Sequence, residues 1–367
     1  ICCNVAGLEL VEAAEGAAWD PHIDLETGRM WESGMAWALQ RLRPLLLDEG
    51  RYEVLMEEVA QMVHRGGVTT IADAGFGGMA LPDRELEVLA KVHEGDQVPF
   101  RQYLIPQVAT FKRVYGAEAE DRIAGLPEHS SERIRFLRAG KFFADGAFIA
   151  QLMQLGEPGY IDGHEGAWMA EPDRLVQQLR PTWEAGRQVN VHVNGDLGVD
   201  ATLDAIAQLI AETPRFDHRT VLHHFGVSTQ AQSRRAAALG CAVQANGYYL
   251  RFFGDQFAAE GLGSERASQM TRVGSARRNG MSVALHSDLP MGPLEPLLAA
   301  SVMATRLSES GVVLGEDERL SPYDAIAAVT IEPAWQLFLD HEIGSLAAGK
   351  LADATVIDGD PFAMDPV

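Results

Sequence analysis

The sequence is poor in cysteine and in basic residues, and both shortages restrict what the protein can be. Among its 367 residues, Cys2 and Cys3 are adjacent and Cys241 is distant, so neither a disulfide framework nor a zinc knuckle fits the spacing. A reducing cytoplasm is therefore the expected compartment. With 30 Lys and Arg against 52 Asp and Glu, the net charge is -22, which excludes the basic surface that a nucleic-acid partner requires.

Long apolar runs and phosphate-binding glycine motifs are also missing. No segment approaches the length of unbroken apolar residues that crosses a membrane, and no charged-then-apolar leader opens the chain. No Gly-rich loop follows the first predicted strand. The composition, 47% hydrophobic and 22% charged, is that of a soluble globular protein. Because the chain starts at Ile rather than Met, we expect it to be a piece of a longer protein.

The most informative stretch is 188–196, in which polar and apolar residues alternate and Val occupies every second position. A period of two predicts a β-strand with the valines on one face and Asn190, His192 and Asn194 on the other. A strand histidine between two amides is either a hydrogen-bonded core residue or part of a functional site. The recurrence of this pattern further along the chain favours a functional site.

Strand-like and helix-like segments alternate over most of the chain. We predict strands at 66–75, 100–106, 134–137 with 141–146, 188–196, 220–226, 241–247 and 281–288, and helices at 83–92, 117–124, 171–185, 203–211, 231–240 and 271–279. Such alternation means parallel strands joined by crossover helices, in a doubly wound sheet or a (β/α)8 barrel. The missing phosphate loop and the polar residues at successive strand ends favour the α/β TIM barrel. About seven strand–helix units can be counted, one short of a closed barrel.

Polar residues at the carboxyl ends of barrel strands converge on one mouth. Two histidines on successive strands, His192 and His224, and Asp288 on the last strand form a ligand set for a divalent metal ion. Lys141 would repel that cation unless its amine is deprotonated or carboxylated to a carbamate that bridges two metals. The alternative is that Lys141 forms a salt bridge with Asp145.

These residues resemble the ligand order of the amidohydrolase superfamily, and their surroundings resemble its YtcJ-like branch, which includes N-substituted formamide deformylases. The order is Lys141 on the fourth strand, His192 on the fifth, His224 on the sixth and Asp288 on the eighth. The matching motifs are 67–70 (GVTT), 141–146 (KFFADG), 192–196 (HVNGD), Arg219 with His224, 287–290 (SDLP) and 343–353 (IGSLAAGKLAD). The resemblance covers nearly the whole chain, and the tail motif together with the ligand order makes it specific.

The resemblance implies an amidohydrolase, an enzyme that cleaves a carbon–nitrogen bond other than a peptide bond in a small molecule. The implied cofactor is a divalent metal, expected to be zinc, with one or two ions bridged by carboxylated Lys141. His192 and His224 would hold the second metal, and Asp288 would bind a metal and carry the proton of the attacking water. Asp145 and Asp196 would orient the ligands.

The resemblance also implies a domain division. We expect a connecting helical segment at 1–65, the (β/α)8 catalytic barrel at 66–340, and the return to a small β-sandwich domain, built from both chain ends, at 341–367. The first barrel strand is expected upstream of residue 1 or hidden in the poorly patterned opening.

The chain departs from the family in three places. The family's first strand carries a His-x-His metal pair, which occurs nowhere in this sequence, so either that strand lies upstream of Ile1 or a metal site has been lost. We favour the upstream strand. His223 stands where the family usually has Glu, and we expect it to face away from His224 because the two are adjacent in a strand. His286 shares a face with Asp288 and is expected either to contact substrate or to pack structurally.

Substrate identity depends on the loops at the barrel mouth. Tyr248, Tyr249 and Arg251 are the candidate substrate-binding residues, with a packed loop as the alternative for the aromatics and an Arg251–Asp255 pair as the alternative for the cation. The leading hypothesis is hydrolysis of an amide, N-acyl or N-formyl bond. The alternatives are a deaminase or ring or ester hydrolase, and a metal-poor binding barrel. A homodimer is left open, and no nucleic-acid or membrane partner is expected.

Overall fold

The computed structural model describes residues 2–11, 20–93 and 98–363. Its first part contains helix α1 (Val5–Leu10), an antiparallel hairpin of strands β1 (Ile23–Asp24) and β2 (Arg29–Met30), and helices α2 (Glu32–Leu46) and α3 (Glu49–Arg65). The helices expected in this segment are present, and the domain boundary near residue 65 stays a prediction. None of the helices in the described residues combines the length and apolar character that crossing a bilayer requires.

Parallel strands and helices alternate through the rest of the chain. The strands are β3 (Thr70–Phe76), β4 (Arg101–Pro106), β5 (Ile134–Phe136), β6 (Ala139–Phe143), β7 (Gln188–Val193), β8 (Val221–His224), β9 (Ala242–Asn246) and β10 (Val283–His286). The helices are α4 (Pro82–His93), α5 (Val108–Tyr115), α6 (Ala119–Gly125), α7 (Pro172–Glu184), α8 (Asp196–Glu212), α9 (Gln230–Ala238), α10 (Tyr248–Gln256), α11 (Ser264–Ala267), α12 (Val273–Arg278), α13 (Pro296–Thr305), α14 (Pro322–Ala327) and α15 (Ile331–Gln336).

The parallel strands pair in the orders β3-β4-β5 and β6-β7-β8-β9-β10. A parallel bridge between Gln107 and Lys141 joins the two sheets, and Leu137 N–H donates to the Leu104 carbonyl where β5 gives way to β6. With β5 and β6 taken as one interrupted strand, the described residues fill all but one position of an eight-stranded barrel. The predicted α/β barrel is confirmed.

Strand β3 is less buried than the central strands. Its residues from Thr70 to Gly75 are partly exposed, whereas all four residues of β8 are buried. The difference arises because one edge of β3 has no strand partner within the described part of the chain. A further strand between β3 and β10 would cover this edge, and the expected upstream strand stays a prediction.

The alternation predicted for β7 is confirmed. Its three valines are buried and pack in the main hydrophobic core with Leu179 and Trp183 of α7. Burial of each valine contributes roughly 1.5–3 kcal/mol, which holds this strand in a single register. The opposite face therefore points Asn190 and His192 into the barrel, where both contact side chains of β8.

The segment after Gln336 crosses the amino-terminal end of the barrel. Asp353 forms an ion pair of 2.6 Å with Arg101 at the start of β4, and Thr355 Oγ1 donates to the Gly67 carbonyl, at 2.5 Å, just before β3. Between 337 and 363 the structure has turns and irregular segments and no β-strand. The sandwich expected at 341–367 stays a prediction, and its last four residues lie outside the described residues.

Candidate active site at the barrel mouth

Strand register places the candidate ligands at one end of the barrel. Lys141 of β6 is aligned with Asn190 of β7, and His192 of β7 is aligned with His223 of β8. His286 ends β10, and Asp288 follows it by two residues. Because all these strands are parallel, their carboxyl ends lie at the same mouth. The structure therefore brings together the side chains that the sequence placed on separate strands.

The His192 and His224 rings are in edge contact, with centroids 4.4 Å apart. His192 Nε2 lies 2.9 Å from the amide nitrogen of Asn194, which also donates to the Gly146 carbonyl. Burial and the nearby Lys141 lower the pKa of His192 to about 3. The imidazole is therefore neutral, which is the form that binds metal ions.

His224 connects the histidines to the carboxylate. Its Nδ1 atom lies 3.2 Å from the Tyr249 hydroxyl and 3.9 Å from Asp288 Oδ2. Burial and the neighbouring His192 hold the pKa of His224 well below its usual value. Because the Tyr249 hydroxyl holds Nδ1, Nε2 is the His224 nitrogen left for a metal ion, and the Asp288 carboxylate lies beside the same ring.

The expectation that His223 and His224 face opposite sides of the strand is wrong. Their ring centroids lie 6.3 Å apart, and both rings belong to the cluster around Lys141. The cause is the backbone of His224, whose φ of 72° is left-handed and ends the extended alternation of β8. The second ring is thereby turned towards the mouth.

Lys141 is 5% exposed, and burial lowers the pKa of its amine to about 7 against the opposing attraction of Asp288. Its nitrogen lies 5.8 Å from the centre of the Phe143 ring. The alternative salt bridge to Asp145 is not formed. Asp145 instead accepts the backbone N–H groups of Asn194, Gly195 and Gln154 at 2.8, 2.7 and 3.0 Å.

Neither of the two aspartates expected to orient the ligands has a described hydrogen bond to an imidazole ring. Asp145 ties the residues that follow His192 to the loop at Gln154, and burial raises the pKa of its carboxyl to about 7. Asp196 accepts from Gly156 N–H at 2.9 Å and from the Arg266 guanidinium at 2.6 Å. A role in positioning the ligands would therefore act through the loops around the mouth.

His286 lies in the same cluster, and its expected role, substrate contact or structural packing, stays a prediction. Its ring centroid lies 4.8 Å from that of His224, and burial lowers the pKa of His286 to about 3. Its Nε2 atom is buried without a hydrogen-bond partner among the described residues. An unsatisfied buried imidazole nitrogen is costly, so this atom marks a place where a metal, a water or a substrate group is expected.

The aromatic candidates separate into two groups. Tyr249 contacts His224 and stacks on Phe148 with ring centroids 4.0 Å apart, and Phe148 stacks on Phe257 at 4.5 Å. Tyr248 is buried elsewhere, and its hydroxyl donates to the Glu295 carbonyl at 2.8 Å. The structure therefore puts Tyr249 at the cluster and gives Tyr248 a packing contact.

Arg251 forms no ion pair with any residue that the structure describes, and the expected partner Asp255 accepts from the backbone N–H of Ser310 instead, at 3.1 Å. Arg251 is partly exposed on helix α10. It is therefore not brought to the histidine cluster by any contact.

The donor set fits a divalent metal in its chemistry. Neutral imidazoles, a carboxylate and the unpartnered His286 Nε2 are the nitrogen and oxygen ligands that such ions take. Within residues 2–11, 20–93 and 98–363, however, no three His, Cys, Asp or Glu side chains already surround one point. A complete coordination sphere therefore needs Lys141 or a group from outside the described residues.

Sequence reasoning missed one partner in the cluster, Asn190. Asn190 Oδ1 contacts His223 Nε2 at 3.0 Å, but Asn190 belongs to no metal-ligand pattern in the sequence. The available indication was the run of polar residues at every second position of β7, all of which must face the barrel interior.

The model of the amidohydrolase family matches residues 3–367 of the chain. YtcJ of Bacillus subtilis, a protein assigned as an amidohydrolase, is 30% identical over 79% of this chain and 53% of its own length. N-substituted formamide deformylase of Arthrobacter pascens is 24% identical over 78% of this chain and 52% of its own. The crystal structure of a metal-dependent hydrolase from Pyrococcus horikoshii covers all of this chain and 70% of its own at 20% identity, with a TM-score of 0.78.

The chain spans about half the length of these two curated relatives. The match to the family model extends over nearly all of its residues, and the structural likeness shows the same barrel fold. The predicted resemblance is confirmed: this chain belongs to the amidohydrolase family.

Proposed function

We propose that the protein is a metal-dependent hydrolase that cleaves a non-peptide carbon–nitrogen bond, an amide, N-acyl or N-formyl group, in a small molecule. The observation that carries the proposal is the convergence of four side chains, Lys141, His192, His224 and Asp288, from separate strands at one mouth. Membership of the amidohydrolase family supports the same reaction class.

Lys141, His192, His224 and Asp288 would hold the metal, which we expect to be zinc. A bound divalent cation supplies a Lewis acid for the scissile carbonyl and lowers the pKa of a coordinated water. Both imidazoles are kept neutral by burial, and a neutral imidazole carries the lone pair that a metal ligand needs.

Carboxylation of Lys141 requires an uncharged amine. Burial lowers the pKa of this group to about 7, so a substantial fraction is neutral near physiological pH. A carbamate there would replace a cation by an anion and add an oxygen ligand, which supports a site of one or two metal ions bridged by this residue.

Asp288 is the proposed catalytic residue. Its side chain is 42% exposed at the mouth, and burial of the rest raises the pKa of its carboxyl. A carboxylate at the boundary between the cluster and solvent can take up a proton from the attacking water and deliver it to the leaving nitrogen.

The relatives indicate the substrate class. One is named for an action on N-substituted formamides, which supports an N-formyl or related N-acyl group for this chain. Of the proposed substrate-binding residues, His286 and Tyr249 have contacts within the cluster that support a role, whereas Tyr248 and Arg251 have none. A cytoplasmic location is proposed because the three cysteines are unpaired in the described residues.

The proposal is tested on the longer natural protein, purified with saturating bicarbonate and analysed for bound metal. We expect about one equivalent or more of zinc, iron or manganese and turnover of formamides in a panel that also includes cyclic amides, aminopurines and esters. Turnover of aminopurines alone would favour a deaminase. Less than about one metal equivalent together with no turnover would favour a non-catalytic barrel.

A further inference from the structure

Three polar side chains form a hydrogen-bonded row inside the barrel, running from its amino-terminal end up to the histidine cluster. Gln188 Oε1 accepts from Asn190 Nδ2 at 3.3 Å, and Asn190 Oδ1 lies 3.0 Å from His223 Nε2. The three side chains are 3%, 2% and 4% exposed, so water does not compete for these bonds. Each polar group in the row therefore depends on its neighbour.

The lower end of the row has only one possible orientation. Gln188 Nε2 lies 2.8 Å from the Arg219 carbonyl and 2.6 Å from the Gln336 carbonyl. Backbone carbonyls can only accept, so the amide nitrogen of Gln188 must face them and its oxygen must face Asn190. The amide of Asn190 is thereby oriented as well, with its nitrogen towards Gln188 and its oxygen towards His223.

This orientation determines the tautomer of the neutral His223 ring. Because Asn190 Oδ1 can only accept, His223 Nε2 must carry the hydrogen, and Nδ1 is left with a lone pair. The ring is 4% exposed and pairs with no carboxylate in the described part of the chain, which agrees with a neutral ring. Two backbone carbonyls at one end of the barrel thus decide which nitrogen of His223 can accept a hydrogen bond.

The free nitrogen faces the mouth. The two nitrogens of an imidazole point to nearly opposite sides of the ring, and Nε2 points down to Asn190, which is aligned with a residue two positions before His223. No described residue donates to His223 Nδ1, and the ring centroids of His224 and His286 each lie 6.3 Å from that of His223.

We infer that His223 presents an obligatory hydrogen-bond acceptor, Nδ1, to the barrel mouth, where it accepts the N–H of a secondary amide substrate. This assignment rests on the proposed function. His223 stands apart from the tighter group in which the His192 and His224 rings are 4.4 Å apart and His224 Nδ1 is 3.9 Å from Asp288. It is therefore placed to contact the substrate beside the metal ligands rather than to act as one of them.

The tautomer is measured first, by nitrogen-15 NMR of the metal-free protein labelled at histidine, with His223→Phe used to assign the signals. We expect a protonated Nε2 and an unprotonated Nδ1 for His223 in the wild type, and a mixture of tautomers in Asn190→Leu. His218 is an internal reference, because its Nε2 lies 2.8 Å from the Leu239 carbonyl and its Nδ1 accepts from Thr220 N–H at 3.1 Å. A protonated Nδ1 on His223 in the wild type would overturn the inference.

The substrate contact is measured with a matched pair, an N-aryl formamide and its N-methyl counterpart, which lacks the N–H. The wild type should prefer the N–H substrate, and His223→Phe should lose on the order of 10- to 100-fold of that preference, chiefly through a higher KM for the N–H member. Asn190→Leu should lose a smaller part, and His218→Phe should keep the wild-type ratio. An unchanged ratio in His223→Phe would contradict the assignment.

Two further outcomes separate this inference from the proposed function. If zinc sulfate shifts the His223 Nδ1 signal directly, the residue is a metal ligand and the substrate assignment is wrong. If neither amide is hydrolysed by the metal-loaded enzyme, the proposed function is wrong, and so is the substrate contact that rests on it. The NMR result still decides whether the row of Gln188 and Asn190 controls the tautomer of His223.

Discussion

The Nδ1 atom of His224 lies 3.9 Å from Oδ2 of Asp288, and both residues adopt a left-handed backbone conformation, with φ of 72° and 56°. Left-handed non-glycine residues are uncommon and cost of order 1–3 kcal/mol each. Here two such residues follow one another in space, one at the end of β8 and one just after β10, and their side chains meet. The backbone at these strand ends therefore brings an imidazole and a carboxylate together.

Asp288→Asn should lower kcat by on the order of 10²- to 10⁴-fold, because the amide cannot take up the proton of the attacking water. The amide oxygen and the remaining ligands should keep the metal bound. The measurement is kcat on a formamide substrate together with elemental analysis of the purified variant. Retained activity would exclude the proton-transfer role, and loss of metal would make Asp288 essential as a ligand instead.

Tyr249→Phe should weaken zinc binding by roughly 10- to 100-fold, because the hydroxyl at 3.2 Å holds Nδ1 of His224 and so helps to orient the ring. Tyr248→Phe is the matched control, since that hydroxyl bonds to the Glu295 carbonyl. Chelator competition gives both affinities. Equal zinc affinity in the two variants would show that the Tyr249 hydroxyl does not orient the ligand.

Glu85→Gln should remove part of the loss of stability at alkaline pH. Burial, with the nearby Asp73, raises the pKa of Glu85 from its usual 4.5 to about 8. Its contribution to stability is therefore complete below pH 4.5 and is lost as the pH rises through about 8. Gln keeps an oxygen for the Gly77 and Ala80 N–H groups at 3.1 and 3.3 Å.

The readout for Glu85 is the melting temperature between about pH 5 and about pH 9. Over this range, the melting temperature of the wild type should fall further than that of Glu85→Gln. Glu87→Gln is the control, because Glu87 is exposed in its pair with Arg84 and should leave the wild-type slope unchanged. If the melting temperature of Glu85→Gln falls with pH as steeply as that of the wild type, this carboxyl is not the source of the alkaline loss of stability.

Gly195→Ala should destabilise the protein by roughly 1–3 kcal/mol and lower kcat/KM. A Cβ at Gly195 would lie 2.0 Å from the Gln154 carbonyl oxygen, so the loop that Asp145 ties to the residues after His192 must move. Gly125→Ala, in helix α6 with open space around the position, should be neutral or stabilising. Chemical denaturation measures the stability of both variants. Wild-type stability in Gly195→Ala would contradict the close approach of position 195 to the Gln154 carbonyl.

Local pattern was enough for most of the elements. The period of two in β7 and the β-branched run of β3 predicted strands that the structure contains. The helix expected at 203–211 begins earlier, at Asp196; its first two turns lack a clear apolar period, so the sequence pattern did not include them. Helix α5, Val108–Tyr115, was missed.

The sequence by itself determined the barrel, the family and the order of the candidate ligands along the strands, because these follow from short-range periodicity and from motifs of a few residues. Only the tertiary structure decided that His223 and His224 lie in one cluster and that Asp145 binds backbone rather than Lys141. It likewise decided that Tyr249 contacts a histidine while Tyr248 does not. A side chain's partners depend on backbone conformation at strand ends and on segments distant in the chain, and neither is visible in a local pattern.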